Sequence, residues 1–161
     1  MKRSFLVVAM VAVATAASAQ TKIAGTLQCG KRDIQQKIDV GDRPGHAFAI
    51  SQGKCTWTKP IEVAGTQTKE DLVTDFGEIS GNTSRGRFVA VIQTTGADKI
   101  HVGGTNTATL KDGLLQSGEG KWQFTAGTGK LKGIKGQGTF KCKGAGETET
   151  CEVEGEYQLP K

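Results

Sequence analysis

The chain has 161 residues, including 23 Gly, 3 Pro and 4 Cys, and its formal net charge is +5. This length accommodates one domain with a targeting segment but leaves little room for a second hydrophobic core. A charged fraction of 23% excludes a chain that is disordered by excess charge, and abundant Gly without a G-X-Y period excludes collagen.

The N-terminus has the three parts of a secretory signal peptide in order. Met1–Arg3 is basic, Phe5–Val13 is apolar, and Ala17–Ala19 is a small-residue cleavage site. We predict cleavage after Ala19, export to the periplasm or the cell exterior, and a single domain over residues 20–161. The apolar run is too short to span a bilayer comfortably, and no later run is longer, so we predict no stable membrane insertion.

The positive charge does not form a continuous basic surface. Cleavage would remove Lys2 and Arg3, and the lysine-rich segment 121–143 is followed by the glutamate-rich segment 147–156. Nucleic-acid-binding proteins instead use an unbroken basic face with stacking aromatic side chains. The sequence therefore predicts a solvated surface and no nucleic-acid partner.

Four cysteines are an even set in an exported chain, which predicts two disulfides. Of the three pairings that are available, we predict Cys29–Cys55 and Cys142–Cys151, because each pair flanks a local connection. The sequence has no C-x-x-C pair of the kind that zinc sites use, and we predict no metal and no cofactor.

After the signal peptide, short extended segments follow one another along the chain. They span residues 22–29, 36–40, 46–51, 54–58, 61–68, 85–94, 98–103, 105–111, 118–125, 136–143 and 150–158. Gly41–Gly45 is a dense turn, and residues 69–80 are interpreted as a loop because of Asp71, Asp75 and Gly77.

The spacing of these segments indicates the fold class. Turn residues recur about every 8–12 residues, as in antiparallel sandwiches and barrels, and no segment has a convincing helical period. Closure into a barrel would remove the exposed edges of such a sheet. We predict an all-β fold, a single disulfide-linked antiparallel β-barrel of about eight strands.

One segment resembles a known family. Residues 122–140, Trp-Gln-Phe-Thr-Ala-Gly-Thr-Gly-Lys-Leu-Lys-Gly-Ile-Lys-Gly-Gln-Gly-Thr-Phe, are similar to the GGTGxFxGxxGxGT segment of allene oxide cyclase-like and dirigent-like β-barrels, which are calycin-like. The segment departs from that pattern at Ala126. Residues 41–50 and 53–60 also resemble exported bacterial members of the group.

The resemblance implies a glycine-rich turn between two late strands, whose apolar residues plug one end of the barrel. Leu131 and Ile134 would be the plug. The glycines that would permit the tight path are Gly127, Gly129, Gly133, Gly136 and Gly138. Gly127 to Lys130 lacks the spacing and the following helix of a phosphate-binding loop, so we predict no nucleotide site.

The residues support no catalytic motif. The sequence has no nucleophile elbow and no H-E-x-x-H segment, and Glu78 and Glu119 are isolated candidate carboxylates outside any such pattern. His46 shares a face with Phe48 and Ile50, so it either points into the barrel or is a hydrogen-bonded strand-end histidine. As barrel-lining, ligand-binding residues we predict His46, Phe48, Trp57, Phe88 and Trp122.

Three functional hypotheses follow. The first is an exported, non-catalytic barrel that binds a small apolar ligand or acts as an accessory envelope protein. The second, implied by the family resemblance, is an isomerase or cyclase that steers a flexible apolar substrate by confinement. The third is a protein-interaction module with a filled barrel. The sequence does not predict the oligomeric state.

Overall fold

The computed structural model describes residues 20–160, so the predicted signal peptide lies outside the described residues. This range contains ten β-strands, one short 3₁₀ turn and no α-helix. The strands are β1 (Thr21–Cys29), β2 (Ile34–Asp39), β3 (His46–Lys59), β4 (Glu62–Val63), β5 (Thr66–Ser80), β6 (Thr83–Thr94), β7 (Lys99–Lys111), β8 (Leu114–Gly127), β9 (Lys135–Ala145) and β10 (Thr148–Gln158). Within residues 20–160, no helix has the length and apolar character needed to cross a membrane.

Eight strands close into one antiparallel barrel. Their order is β1-β10-β9-β8-β7-β6-β5-β3, and β3 then pairs with β1 to complete the ring. β2 pairs with the first half of β3, where β1 no longer reaches it, and β4 pairs with the start of β5. The predicted all-β barrel of about eight strands is confirmed, with two additional strands.

Several segments differ from the sequence prediction. Residues 46–59 and 99–111 each form one continuous strand, β3 and β7, instead of two, and the predicted extended segment at residues 61–68 divides into β4, a turn and the start of β5. The predicted loop at residues 69–80 is most of strand β5. Asp and Gly are rare in strands, which is why Asp71, Asp75 and Gly77 indicated a loop. A Cβ on Gly77 would lie 2.9 Å from the Cα of Gly86, so glycine here permits close backbone packing inside the barrel.

The two disulfides lie in the interior and have the predicted partners. Cys29–Cys55 joins β1 to β3, and Cys142–Cys151 joins β9 to β10. Each bond therefore links neighbouring strands of the closed sheet. Two disulfides are typical of a protein that resides in an oxidising, extracytoplasmic environment.

One end of the barrel is closed by apolar side chains. The connection between β8 and β9 contains the 3₁₀ turn Gly129–Leu131, and Leu131 and Ile134 are buried there. Ile61 and Val63, from the connection between β3 and β5, are buried in the same core. We call these four apolar residues the closed end.

Candidate functional site

A cavity of about 350 Å³ lies inside the barrel. This volume is within the range of small-molecule sites in proteins. Every strand of the barrel contributes at least one side chain to the lining. Taking one example from each of β1, β3, β5, β6, β7, β8, β9 and β10 in that order, the lining includes Ile23, Trp57, Asp71, Phe88, Val102, Trp122, Phe140 and Val153. The cavity is therefore formed by the closed sheet itself.

Aromatic side chains form much of the wall. Phe88 and Phe140 meet edge to face, with ring centroids 5.5 Å apart, and Trp122 lies 4.8 Å from Phe124 by the same measure. The Trp122 indole N–H donates to two backbone carbonyl oxygens, those of Thr139 and Glu154, at 3.3 and 3.2 Å. These contacts fix the aromatic rings before any ligand binds.

Asp71 is a buried carboxyl group in this wall. It is 4% exposed, and the Trp57 indole N–H donates to its Oδ1 at 2.6 Å. Burial raises the pKa of Asp71 to about 7, although the hydrogen bond from Trp57 acts in the opposite direction. No hydrogen bond to its other oxygen, Oδ2, occurs within residues 20–160. Near neutral pH, this carboxyl group can therefore both give and accept a proton.

Four side chains form a polar cluster at the end of the cavity opposite the closed end. Arg32, between β1 and β2, contacts the Glu149 carboxylate at 2.5 Å and Oδ2 of Asp75 at 3.5 Å. Asn106 donates to Oδ1 of Asp75 at 3.0 Å. Burial raises the pKa of both Asp75 and Glu149, and the nearby guanidinium of Arg32 counteracts this shift. We call Arg32, Asp75, Asn106 and Glu149 the polar cluster.

The polar cluster has two buried atoms without a hydrogen-bond partner in the described part of the chain. These atoms are Nη1 of Arg32 and Oδ2 of Asp75. Gly53 makes room for the arginine, because a Cβ at this position would lie 3.0 Å from Cδ of Arg32. Outside the cluster, Lys31 and Glu147 form an exposed ion pair at 2.7 Å. Together these contacts hold the β1–β2 connection across this end of the barrel.

Three of the five predicted ligand-binding residues line the cavity, and two do not. Trp57, Phe88 and Trp122 are among the lining side chains. The prediction that His46 and Phe48 line the barrel is wrong, because they lie on the outer face of β3, where Phe48 is 52% exposed.

The alternation of β3 explains this error. In a continuous strand, residues of one parity face the interior and residues of the other parity face solvent. Cys55 and Trp57 are buried, so His46 and Phe48, at even-numbered positions, face outward. The sequence prediction treated residues 46–51 and 54–58 as separate strands. The burial of Trp57 therefore did not determine which way His46 faces.

His46 is instead the hydrogen-bonded strand-end histidine that the sequence left as an alternative. Its Nδ1 lies 2.5 Å from Oδ1 of Asp42, and its Nε2 lies 2.9 Å from Oε1 of Glu78. The hydrogen bond with His46 lowers the pKa of Asp42. Glu78 and Glu119 are both exposed, so neither is a buried carboxyl group of the cavity.

The sequence interpretation missed the buried charged groups: Arg32, Asp71, Asp75 and Glu149. Strand β5 gave no usable signal, because polar and apolar residues do not alternate from Asp71 to Ile79: Asp71 and Val73 both line the cavity, and Leu72 is exposed on the other face. Arg32 and Glu149 lie in different elements, and no local pattern connects them. Within residues 20–160, no group of His, Cys, Asp and Glu side chains has the arrangement of a metal site.

Comparisons with known proteins give no family assignment. No family model matches the chain, and no curated protein matches it. Among solved structures, the chain is similar to one named "Pyocyanin demethylase", with 21% sequence identity and a TM-score of 0.44, over 82% of this chain and 98% of that one. The barrel architecture of this chain rests on its own strand pairing.

Proposed function

We propose that the protein binds one small, largely apolar molecule inside the barrel and does not transform it. The observation that carries this proposal is the cavity of about 350 Å³, whose wall includes Trp57, Trp122 and Phe88. A protein-interaction module with a filled barrel would not require such a space. Binding would remove apolar ligand surface from water, at roughly 25 cal/mol for each Å² buried.

The barrel is suited to this role because its walls are largely preformed. The ring of strands is closed, two disulfides link neighbouring strands, and both indole N–H groups already have acceptors. A ligand that enters a preformed site loses less affinity to ordering of the protein.

We also propose that binding takes place outside the cytoplasm, in the periplasm or the medium, after cleavage at Ala19. The two disulfides and the signal-peptide pattern support this location. The glycine-rich segment and its buried Leu131 and Ile134 support a place near the allene oxide cyclase-like barrels. An accessory role in the envelope is compatible with the same binding activity.

Filling the cavity tests the proposal. Ala90 is buried and lines the cavity, whereas its neighbour Val89 is 51% exposed on the other face of β6. We expect the disulfide-bonded protein to bind the neutral probe 2-naphthylmethanol in isothermal titration calorimetry. Ala90→Phe should weaken binding about tenfold or more, and Val89→Phe should leave it unchanged.

Near-ultraviolet circular dichroism checks that both variants are folded. Equal affinities for the wild type and a folded Ala90→Phe variant would place the probe outside the barrel. Absence of binding by the wild-type protein to this probe would also contradict the proposal.

A second candidate function is an isomerase that uses Asp71 as an acid–base group. A carboxyl group with a pKa of about 7 inside an apolar cavity favours it. The test uses a molecule that co-purifies with the protein, identified by native mass spectrometry and incubated with the protein in deuterium oxide. Wild type should introduce deuterium at carbon and Asp71→Asn should not. A bound molecule that gains no deuterium at carbon contradicts this candidate.

A further inference from the structure

We propose that the ligand carries a positive charge, as a protonated amine, and that its ammonium group binds Asp71. This inference rests on the proposed function, because it specifies the chemical class of the molecule that occupies the same cavity. It goes beyond that function, since apolar lining alone does not distinguish amines, alcohols and acids.

The charges in the cavity wall are unequal. Three carboxyl groups of the lining are buried or half-buried, namely Asp71, Asp75 and Glu149, and Arg32 is the one basic side chain among the half-buried or buried lining residues of the described chain. Arg32 contacts Asp75 and Glu149 together. It can neutralise only one of these two carboxylates, so the wall retains an excess of negative charge or bound protons.

Asp71 has no basic partner of its own. The hydrogen bond from Trp57 involves only Oδ1, and the like charge of the neighbouring Glu70 adds to the effect of burial in raising the pKa of Asp71. An unpaired carboxylate in an apolar site is unfavourable unless it takes up a proton or binds a cation. In the absence of a ligand, Asp71 takes up the proton. A ligand ammonium would supply the cation.

The surroundings of Asp71 favour a cation over a neutral polar group. An ammonium group has three N–H donors and no acceptor, which suits a carboxylate with one oxygen unpartnered. Trp57, Trp122 and Phe88 line the same wall, and aromatic rings attract cations through their π-systems. An anionic ligand would meet the carboxylates of Asp75 and Glu149 in the same cavity, which is unfavourable.

Asp71 is a better position for the ammonium than Asp75. The two residues are four positions apart on β5, which corresponds to about 13 Å along a strand, so one ammonium cannot contact both. Asp75 already has a guanidinium within 3.5 Å and an amide donor, Asn106, at 3.0 Å. The ligand charge therefore lies deep in the cavity, at Asp71.

A set of three probes with one apolar body tests this inference. We compare 2-naphthylmethylamine, 2-naphthylmethanol and 2-naphthylacetate by calorimetry at neutral pH with the disulfide-bonded protein. We expect the amine to bind about tenfold more tightly than the alcohol, since a charge-assisted hydrogen bond replaces a neutral one. The acetate should bind most weakly.

Asp71→Asn should abolish the advantage of the amine, so that the amine and the alcohol bind this variant with affinities within about twofold of each other. The matched control is Glu70→Gln, which removes the same charge from the adjacent residue on the other face of β5. It should preserve the order of the three probes.

The outcomes separate the two proposals. If the alcohol binds as tightly as the amine, the inference is wrong while the proposed function stands, and Asp71 is a proton-bearing structural group. If no probe binds, the proposed function itself is contradicted. If the amine keeps its advantage in Asp71→Asn, the ammonium lies elsewhere and the assignment to Asp71 fails.

Discussion

The two ends of the cavity are built in different ways. The closed end uses side chains from two connections, and half of it, Leu131 and Ile134, comes from one short glycine-rich segment. The polar cluster brings together side chains from four separate elements, the β1–β2 connection, β5, β7 and β10. The first is a local structure that a sequence motif can reveal, whereas the second exists only after the barrel closes.

Stability should depend far more on the closed end than on apolar side chains at the opposite end. Leu131 is fully buried, so Leu131→Ala should lower the free energy of unfolding by about 3–5 kcal/mol through lost burial and a new cavity. Leu114→Ala, at an exposed position on the other end, should change it by less than about 1 kcal/mol. Guanidinium unfolding monitored by circular dichroism measures both. Similar losses in the two variants would remove the contrast between the ends.

The buried carboxyl group between the two ends should make stability depend on pH. The pKa of Asp71 rises from 3.8 to about 7 on folding, so the native state holds this proton more tightly than the unfolded state does. The contribution of Asp71 is therefore full below pH 4 and is lost as pH rises toward 7. Between pH 5 and pH 7, the free energy of unfolding should fall by about 2 kcal/mol because of this group.

Asp71→Asn isolates that contribution, because Asp75, Glu149 and Asp42 titrate in both proteins. Urea unfolding of wild type and variant should give stability curves that lie close together at about pH 5 and separate as pH rises, because wild type loses stability as Asp71 ionises and the neutral Asn does not titrate. Parallel curves would mean that Asp71 ionises normally in the folded protein.

The smallest expected effect concerns the turn at the closed end. Gly133 has a φ of +78°, a conformation that favours glycine. A Cβ added at this position would also lie 3.0 Å from Cγ of Pro160. Gly133→Ala should lower the free energy of unfolding by about 1–2 kcal/mol. The control is Gly30→Ala, at a position where an added Cβ meets no atom within 4 Å. An unchanged thermal midpoint for Gly133→Ala would show that this turn does not need glycine.

Local features of the sequence predicted much of the fold. The even number of cysteines in an exported chain predicted two disulfides, and the regular turn spacing predicted an all-β sandwich or barrel. The resemblance of the glycine-rich segment to a known family implied the plug, and Leu131 and Ile134 are buried. Each of these properties depends on residues that are close in sequence or on an average over the whole chain. Such properties are accessible before the three-dimensional structure is known.

The site was less predictable because its chemistry depends on which face of each strand is inside. Alternation correctly placed His46 and Phe48 on one face but did not identify that face as the outer one. Asp71 and Asp75 were interpreted as loop residues because Asp is rare in strands. Strand propensities describe exposed and half-buried sheet surfaces, and they describe a polar cavity wall less well. The pairing of Arg32 with Glu149 spans most of the chain and has no local signal.

The binding of a ligand inside the barrel can be tested most directly by nuclear magnetic resonance. The protein has two tryptophans, Trp57 and Trp122, and both line the cavity. In a ¹H–¹⁵N spectrum, addition of 2-naphthylmethylamine should shift both indole resonances to saturation, and Ala90→Phe should prevent this change. Saturable binding of the amine that leaves both indole resonances in place would contradict the account.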